Sequence, residues 1–122
     1  MALPKVLLGV PLLIAGMYLP AGHQLAARPA GAVGMVHEGF NRTVVTIHRG
    51  QTVTFENDSR FIHIIGPGSG GHLARPRNEP INGRELMEQD QTYTTGRWNT
   101  PGTYSITCSV HPEMTTKIVV LP

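Results

Sequence analysis

An all-β sandwich or barrel is the fold predicted for residues 35–122. Three observations carry it: short runs rich in β-branched residues, turn signals at close intervals between them, and no apolar repeat of helical period. Residues 43–48 (TVVTIH) and 51–56 (QTVTFE) are the clearest strands, with Arg49-Gly50 as the turn between them. In the second run Val53 and Phe55 share one face, opposite Thr52, Thr54 and Glu56, as in a half-buried strand. Asn57-Asp58-Ser59 is the next turn signal. Residues 61–65 (FIHII) form a short apolar run in which Phe61, His63 and Ile65 share the inward face. Residues 66–91 are long and polar, with Pro67, Gly68, Gly70, Gly71, Pro76 and Pro80, and predict loop or edge structure. Within them, residues 85–89 (ELMEQ) allow one helical turn at most. Residues 92–98 and 103–108 read as two more strands joined through Thr100-Pro101-Gly102, and residues 116–121 (TKIVVL) close the domain.

The first stretch reads differently. Lys5 precedes residues 6–19 (VLLGVPLLIAGMYL), which are apolar apart from glycines, Pro11 and the Tyr18 hydroxyl. Residues 1–32 are therefore expected to be a signal peptide or an N-terminal membrane anchor. Ala30-Gly31-Ala32 offers a small-x-small cleavage site, and Leu25-Ala26-Ala27 a second. The apolar run is short of the roughly 20 residues a spanning helix needs, so an anchor would have to extend to about Gly22. Either reading exports the remainder, to the periplasm or the outer face of the cytoplasmic membrane. A Gly/Ala/Pro linker at residues 28–34 leads into a linker and first-strand region at 33–42.

Lys5 and Arg28 precede residue 33, which leaves 8 of the 10 basic residues to face 8 acidic ones. The basic residues are scattered, without a Lys/Arg run, so a nucleic-acid partner is excluded. A neutral domain has no strong field to steer a partner, and a monomer is expected. The single cysteine rules out an internal disulfide. A lone exported thiol is buried and inert, paired with another chain, or held by a metal.

The residues around Cys108 decide among these. Alternation along 103–108 puts Tyr104, Ile106 and Cys108 on the inward face, so the thiol sits at a strand end. In Cys108-Ser109-Val110-His111-Pro112-Glu113-Met114 the chain turns back to present His111 and then Met114 to the same point. A soft thiolate, an imidazole and a thioether together suit copper, and one more imidazole completes a His₂Cys trigonal site with a long axial Met. His63, inward on a separate strand, is the candidate. The four expected ligands of one copper ion, cycling Cu(II)/Cu(I), are thus His63, Cys108, His111 and Met114. Nothing suggests an enzyme: no general-base pair stands beside an open coordination position.

The stretch PGTYSITCSVHPEMTTKIVVLP resembles the ligand loop and last strand of the cupredoxins, the type 1 blue-copper proteins. Its spacing, Cys-x-x-His-Pro-x-Met after a Gly-Thr-Tyr strand, is most similar to the amicyanins, whereas plastocyanins and pseudoazurins have a longer gap between the His and the Met. Residues 43–63 (TVVTIHRGQTVTFENDSRFIH) also resemble the family's paired strands leading to the first histidine ligand. The resemblance implies a cupredoxin-like Greek-key β-sandwich, or barrel, over residues 35–122, and the same four ligands. It implies shuttling of single electrons between redox partner proteins, an electron port at the His111 ring edge flanked by Val110 and Pro112, and core positions for Met87 and Trp98. The chain departs from the family at Ile64, where an Asn, Ser or Thr usually ties the two ligand loops together. The brace is then missing or supplied elsewhere, with Ser109 able to provide part of it. Residues 66–91 are also longer and more polar than the amicyanin equivalent.

Of the other histidines, His23 leaves with the leader, His37 and His48 are expected exposed and unligated, and His72 is a solvated loop residue. Asn41-Arg42-Thr43 and Asn57-Asp58-Ser59 fit glycosylation sequons, which such triplets do often by chance. Two other readings remain open: a copper carrier or chaperone using the same ligands, and a structural sandwich with Cys108 inert.

Overall fold

A computed structural model describes residues 31–122, so the leader and anchor expectations, and His23, lie outside the described residues. Among the described residues there is no helix long and apolar enough to cross a membrane. Ten strands among the described residues make two mixed sheets. They are β1 (Ala32–Val36), β2 (Gly39–Phe40), β3 (Val44–His48), β4 (Thr54–Asn57), β5 (His63–Ser69), β6 (His72–Leu73), β7 (Glu85–Met87), β8 (Thr92–Thr94), β9 (Gly102–Cys108) and β10 (Thr115–Leu121). The first sheet runs β2-β1-β4-β8; the second runs β3-β10-β9-β5-β6, with β7 also paired to β5.

The alternation legible in the sequence is what closes the core. Val45 and Ile47 of β3, Phe55 of β4, Ile106 and Cys108 of β9, and Ile118 and Val120 of β10 all point inward and are buried. Val33 and Met35 of β1, together with Met87 and Trp98, fill the space between the sheets. Trp98 is fully buried, and its indole N–H donates to Thr95 Oγ1 at 2.9 Å, so its one polar group is satisfied.

Several expectations change. β3 and β4 are not partners: β3 lies parallel to β10, while β4 lies between β1 and β8 in the other sheet. The turn at Arg49-Gly50 therefore crosses between sheets, and Gly50 takes the left-handed φ of 91° that the crossing requires. The first strand starts at Ala32, with residues 32–34 expected as linker: Ala32 pairs with Thr54, and Gly31 accepts a hydrogen bond from the Thr54 amide. Cleavage after Ala32 would remove that first rung, whereas cleavage after Ala27 would leave β1 whole.

Residues 66–91 carry more structure than their Gly and Pro content suggests. β5 continues through Pro67 to Ser69 and returns as β6 with Ser69 opposite His72. The two-residue connection, Gly70-Gly71, has φ of 58° and 83°, the doubly left-handed turn that tightens a hairpin. Residues 85–87 are strand rather than a helical turn, because their partner on β5 supplies the hydrogen bonds. The strand expected over 92–98 stops at Thr94, where Thr95 turns its hydroxyl to the Val53 amide.

Candidate metal centre

The site lies where β5 and β9 meet. Ile65 of β5 pairs with Cys108 at the end of β9, which brings His63 beside the thiol although the two are 45 residues apart. His63 and Cys108 are fully buried and His111 is half-buried. Their ligand atoms converge within 4.8 Å of one another, and this is the one such group of His, Cys, Asp or Glu among the described residues. Cys108 Sγ lies 3.7 Å from His63 Nδ1 and 3.9 Å from His111 Nδ1. Donors roughly 2.0–2.3 Å from a common ion in a trigonal plane stand about 3.7 Å apart, so both separations fit one copper-sized ion. Burial holds His63 neutral: its pKa falls from 6.5 to about 4, chiefly by desolvation and then by the nearby His111, with His37 contributing and a hydrogen bond to the Val36 main chain opposing.

The ligand loop is short and closes on itself. The Met114 amide donates to the His111 carbonyl at 2.9 Å, and the Cys108 amide donates to the Met114 carbonyl at 3.2 Å. Met114 is buried in the same core cluster as Cys108. The position held by Ile64 needs no polar side chain: the Ser109 amide donates to the Ile64 carbonyl at 2.9 Å, so the main chain itself ties the two ligand segments.

A second support comes from the β5–β6 hairpin. Thr107, buried on β9, donates its hydroxyl to the Met114 carbonyl at 2.7 Å and accepts the Gly71 amide at 2.9 Å. Gly71 lies so close to the ligand loop that a Cβ there would stand 2.7 Å from Pro112 Cβ. The segment expected to be loop or edge structure thus contributes an edge hairpin that buttresses His111-Pro112. His72, the residue after Gly71, is exposed, as is His48.

The surface around the site holds one surprise. Phe61, expected inward, precedes β5 and is 44 % exposed. It stacks on His37, and both rings meet His111 edge-on. His37 is exposed as expected, but it borders the site. No sequence signal marked this, because the contact joins the end of β1 to a loop before β5.

A scan against protein-family models gives no match. Amicyanin-alpha of Methylorubrum extorquens is 30 % identical over 115 residues, spanning 84 % of this chain and 92 % of that protein. The chain belongs to the amicyanin family of cupredoxins. Solved amicyanins share its fold. The crystal structure of amicyanin from Paracoccus versutus superposes with a TM-score of 0.59 at 26 % identity, over 78 % of this chain and 84 % of that one. A reduced Cu(I) form of an amicyanin mutant gives 0.59 at 23 % identity, over 78 % and 85 %. Membership agrees with the donor set: a thiol and two imidazoles on an amicyanin-type sandwich suit one copper ion.

The residues that sequence reasoning missed are Asn57 and Ser59. Asn57 is 1 % exposed, which excludes it as a glycosylation site in the fold. The phase of Val53 and Phe55, extended by two residues, would have placed it inward. Ser59 lies 3.0 Å from His63 Nε2, behind the ligand face of the ring.

Proposed function

We propose that this amicyanin-family chain is an exported carrier of single electrons, with one copper ion held by His63, Cys108, His111 and Met114. The carrying observation is the convergence of two imidazole Nδ1 atoms on one buried thiol. Bound copper supplies a Cu(II)/Cu(I) couple at a potential tuned by the thiolate and the axial ligand.

The protein's part is to keep the ligands still and dry. His63 and Cys108 are pinned on paired strands, and the ligand loop is closed by its own main-chain bonds, so little has to move when the charge changes. Desolvation of His63 leaves its imidazole neutral and ready to ligate at neutral pH. His111, half-buried, supports the reading of its ring edge as the port to redox partner proteins. Val110, 45 % exposed beside it, and the Phe61 ring, 6.3 Å from it, give the port an apolar rim. No substrate is transformed. A carrier that hands copper on needs accessible ligands, and the burial of His63, Cys108 and Met114 disfavours that alternative.

The test is to add Cu(II) to the purified protein and record the visible spectrum and a redox titration. An intense thiolate-to-copper band toward the red, with a reversible one-electron couple, is expected. Its absence, or its persistence in Cys108→Ala, would sink the assignment. Irreversible redox with ready loss of Cu(I) would favour the carrier.

A further inference from the structure

The turn formed by Asn57 and Ser59 has too few hydrogens to leave the protonation of the His63 ring open. Asn57 Nδ2 faces two main-chain carbonyls, Phe61 at 2.8 Å and Met87 at 3.1 Å, which fixes the orientation of the amide. Its Oδ1, an acceptor only, therefore faces Ser59, receiving the Ser59 amide at 3.0 Å and lying 2.7 Å from Ser59 Oγ. A 2.7 Å contact between two oxygens requires a hydrogen between them, and the amide oxygen has none to give. The hydroxyl has a single hydrogen, which is thereby committed to Asn57. Were it turned to His63, Ser59 Oγ would face both Asn57 Oδ1 and the Phe61 carbonyl, 3.3 Å away, with no hydrogen toward either.

Two lone pairs of Ser59 Oγ remain. One accepts the Phe61 amide at 3.2 Å. The other faces His63 Nε2 at 3.0 Å, so that nitrogen must be the donor. The ring's other nitrogen, Nδ1, then has a free lone pair, and it is the atom 3.7 Å from Cys108 Sγ.

We propose that Ser59, locked by Asn57, is a positioning residue that presets His63 in the Nε2–H tautomer with Nδ1 presented to the metal. The proposal rests on the copper reading only for its consequence, since the tautomer is a property of the metal-free protein. The ring is also held against a half-turn about its Cβ–Cγ bond, which would put a carbon where Ser59 needs a donor. An acceptor behind a ligating imidazole makes the ring more basic and favours the more highly charged ion. Loss of the Ser59 hydroxyl should thus weaken Cu(II) binding, roughly 10–100-fold, and raise the reduction potential.

The experiment uses the full chain, labelled with ¹⁵N-histidine, reduced and metal-free at neutral pH. The His63 nitrogens are read by two-bond proton–nitrogen correlation. Wild type and Ser59→Thr should show Nε2 protonated and Nδ1 bare; Ser59→Ala, in which the Val36 main chain remains as a hydrogen-bond partner of the ring, should show a measurably smaller Nε2–H population with unchanged amide shifts in β9 and β10. Copper titration and potentiometry of the three proteins should follow the same grouping. A proton on Nδ1 in wild type overturns the proposal even if Ser59→Ala does not fold. So does a Ser59→Ala protein with unaltered tautomer, copper affinity and potential. Wild type with the Nε2–H tautomer but no thiolate–copper band would overturn the copper reading and uphold the tautomer.

Discussion

Phe61 lies flat on His37, with ring centroids 3.7 Å apart and planes 13° from parallel. The pair closes the outer side of the metal centre, since His37 also meets His111 edge-on at 5.3 Å. The stack adds a side-chain contact between this loop and the end of β1, beside the main-chain bond from the Asp58 amide to the Met35 carbonyl, and its contribution is measurable. In a double-mutant cycle with His37→Ala and Phe61→Ala, the coupling energy from urea unfolding should be about 0.5–1.5 kcal/mol. Strict additivity would mean that the rings merely lie near one another.

Gly70 and Gly71 form a matched pair for testing the buttress. Both have positive φ, so alanine at either incurs the left-handed strain of about 1–2 kcal/mol. Only at Gly71 does the new Cβ meet Pro112, whereas nothing lies within 4 Å at Gly70. Gly71→Ala should therefore lower the thermal midpoint more than Gly70→Ala, and it alone should change the His111 ring resonances. Equal effects would remove the hairpin from any role at the ligand loop.

Asn57 uses every hydrogen-bonding position of its side chain and both of its main-chain groups. Its amide donates to the Gln91 carbonyl and its own carbonyl accepts from Asp90, while its side chain makes two donor and two acceptor contacts. Asn57→Asp would turn an acceptor toward the Phe61 and Met87 carbonyls in a buried place. We expect at least about 3 kcal/mol of destabilisation by chemical unfolding at pH 7. A loss below about 1 kcal/mol would show that the cluster is solvated.

The metal-free protein should lose stability on mild acidification. The folded pKa of His63, about 4, lies below its ordinary 6.5, through burial first and then its neighbours His111 and His37. Between those values the unfolded chain takes a proton that the folded one refuses, so the stabilisation is full above 6.5 and is lost as pH falls toward 4. The loss attributable to this group is up to roughly 3 kcal/mol. His63→Gln should flatten the pH profile of the unfolding midpoint over that window, and an unchanged slope would assign the effect elsewhere.

The sequence showed the all-β class, the inward phases of β3, β9 and β10, the core places of Met87 and Trp98, and the tight loop from Cys108 to Met114. These depend on neighbours one to seven residues apart, and alternation or a closed turn is enough to express them. Its expectation of loop or edge structure over residues 66–91 holds for the edge strands β6 and β7 and fails for residues 66–69, where Gly and Pro mark a break by local propensity but pairing with β9 and β6 supplies the hydrogen bonds that propensity ignores. It misjudged Phe61 because the strand phase was extended two residues beyond the place where β5 begins.

What only the tertiary structure decided is how the local loop becomes a site. His63 meets Cys108 through pairing of distant strands, Ser59 and Asn57 stand behind His63, Gly71 closes on Pro112, and the Ile64 carbonyl replaces the side-chain brace. Each is a contact between segments whose separation in the chain carries no periodic signal, and each exists because two sheets bring those segments together. By itself the sequence determined the chemistry of the donors; packing determined where their lone pairs point.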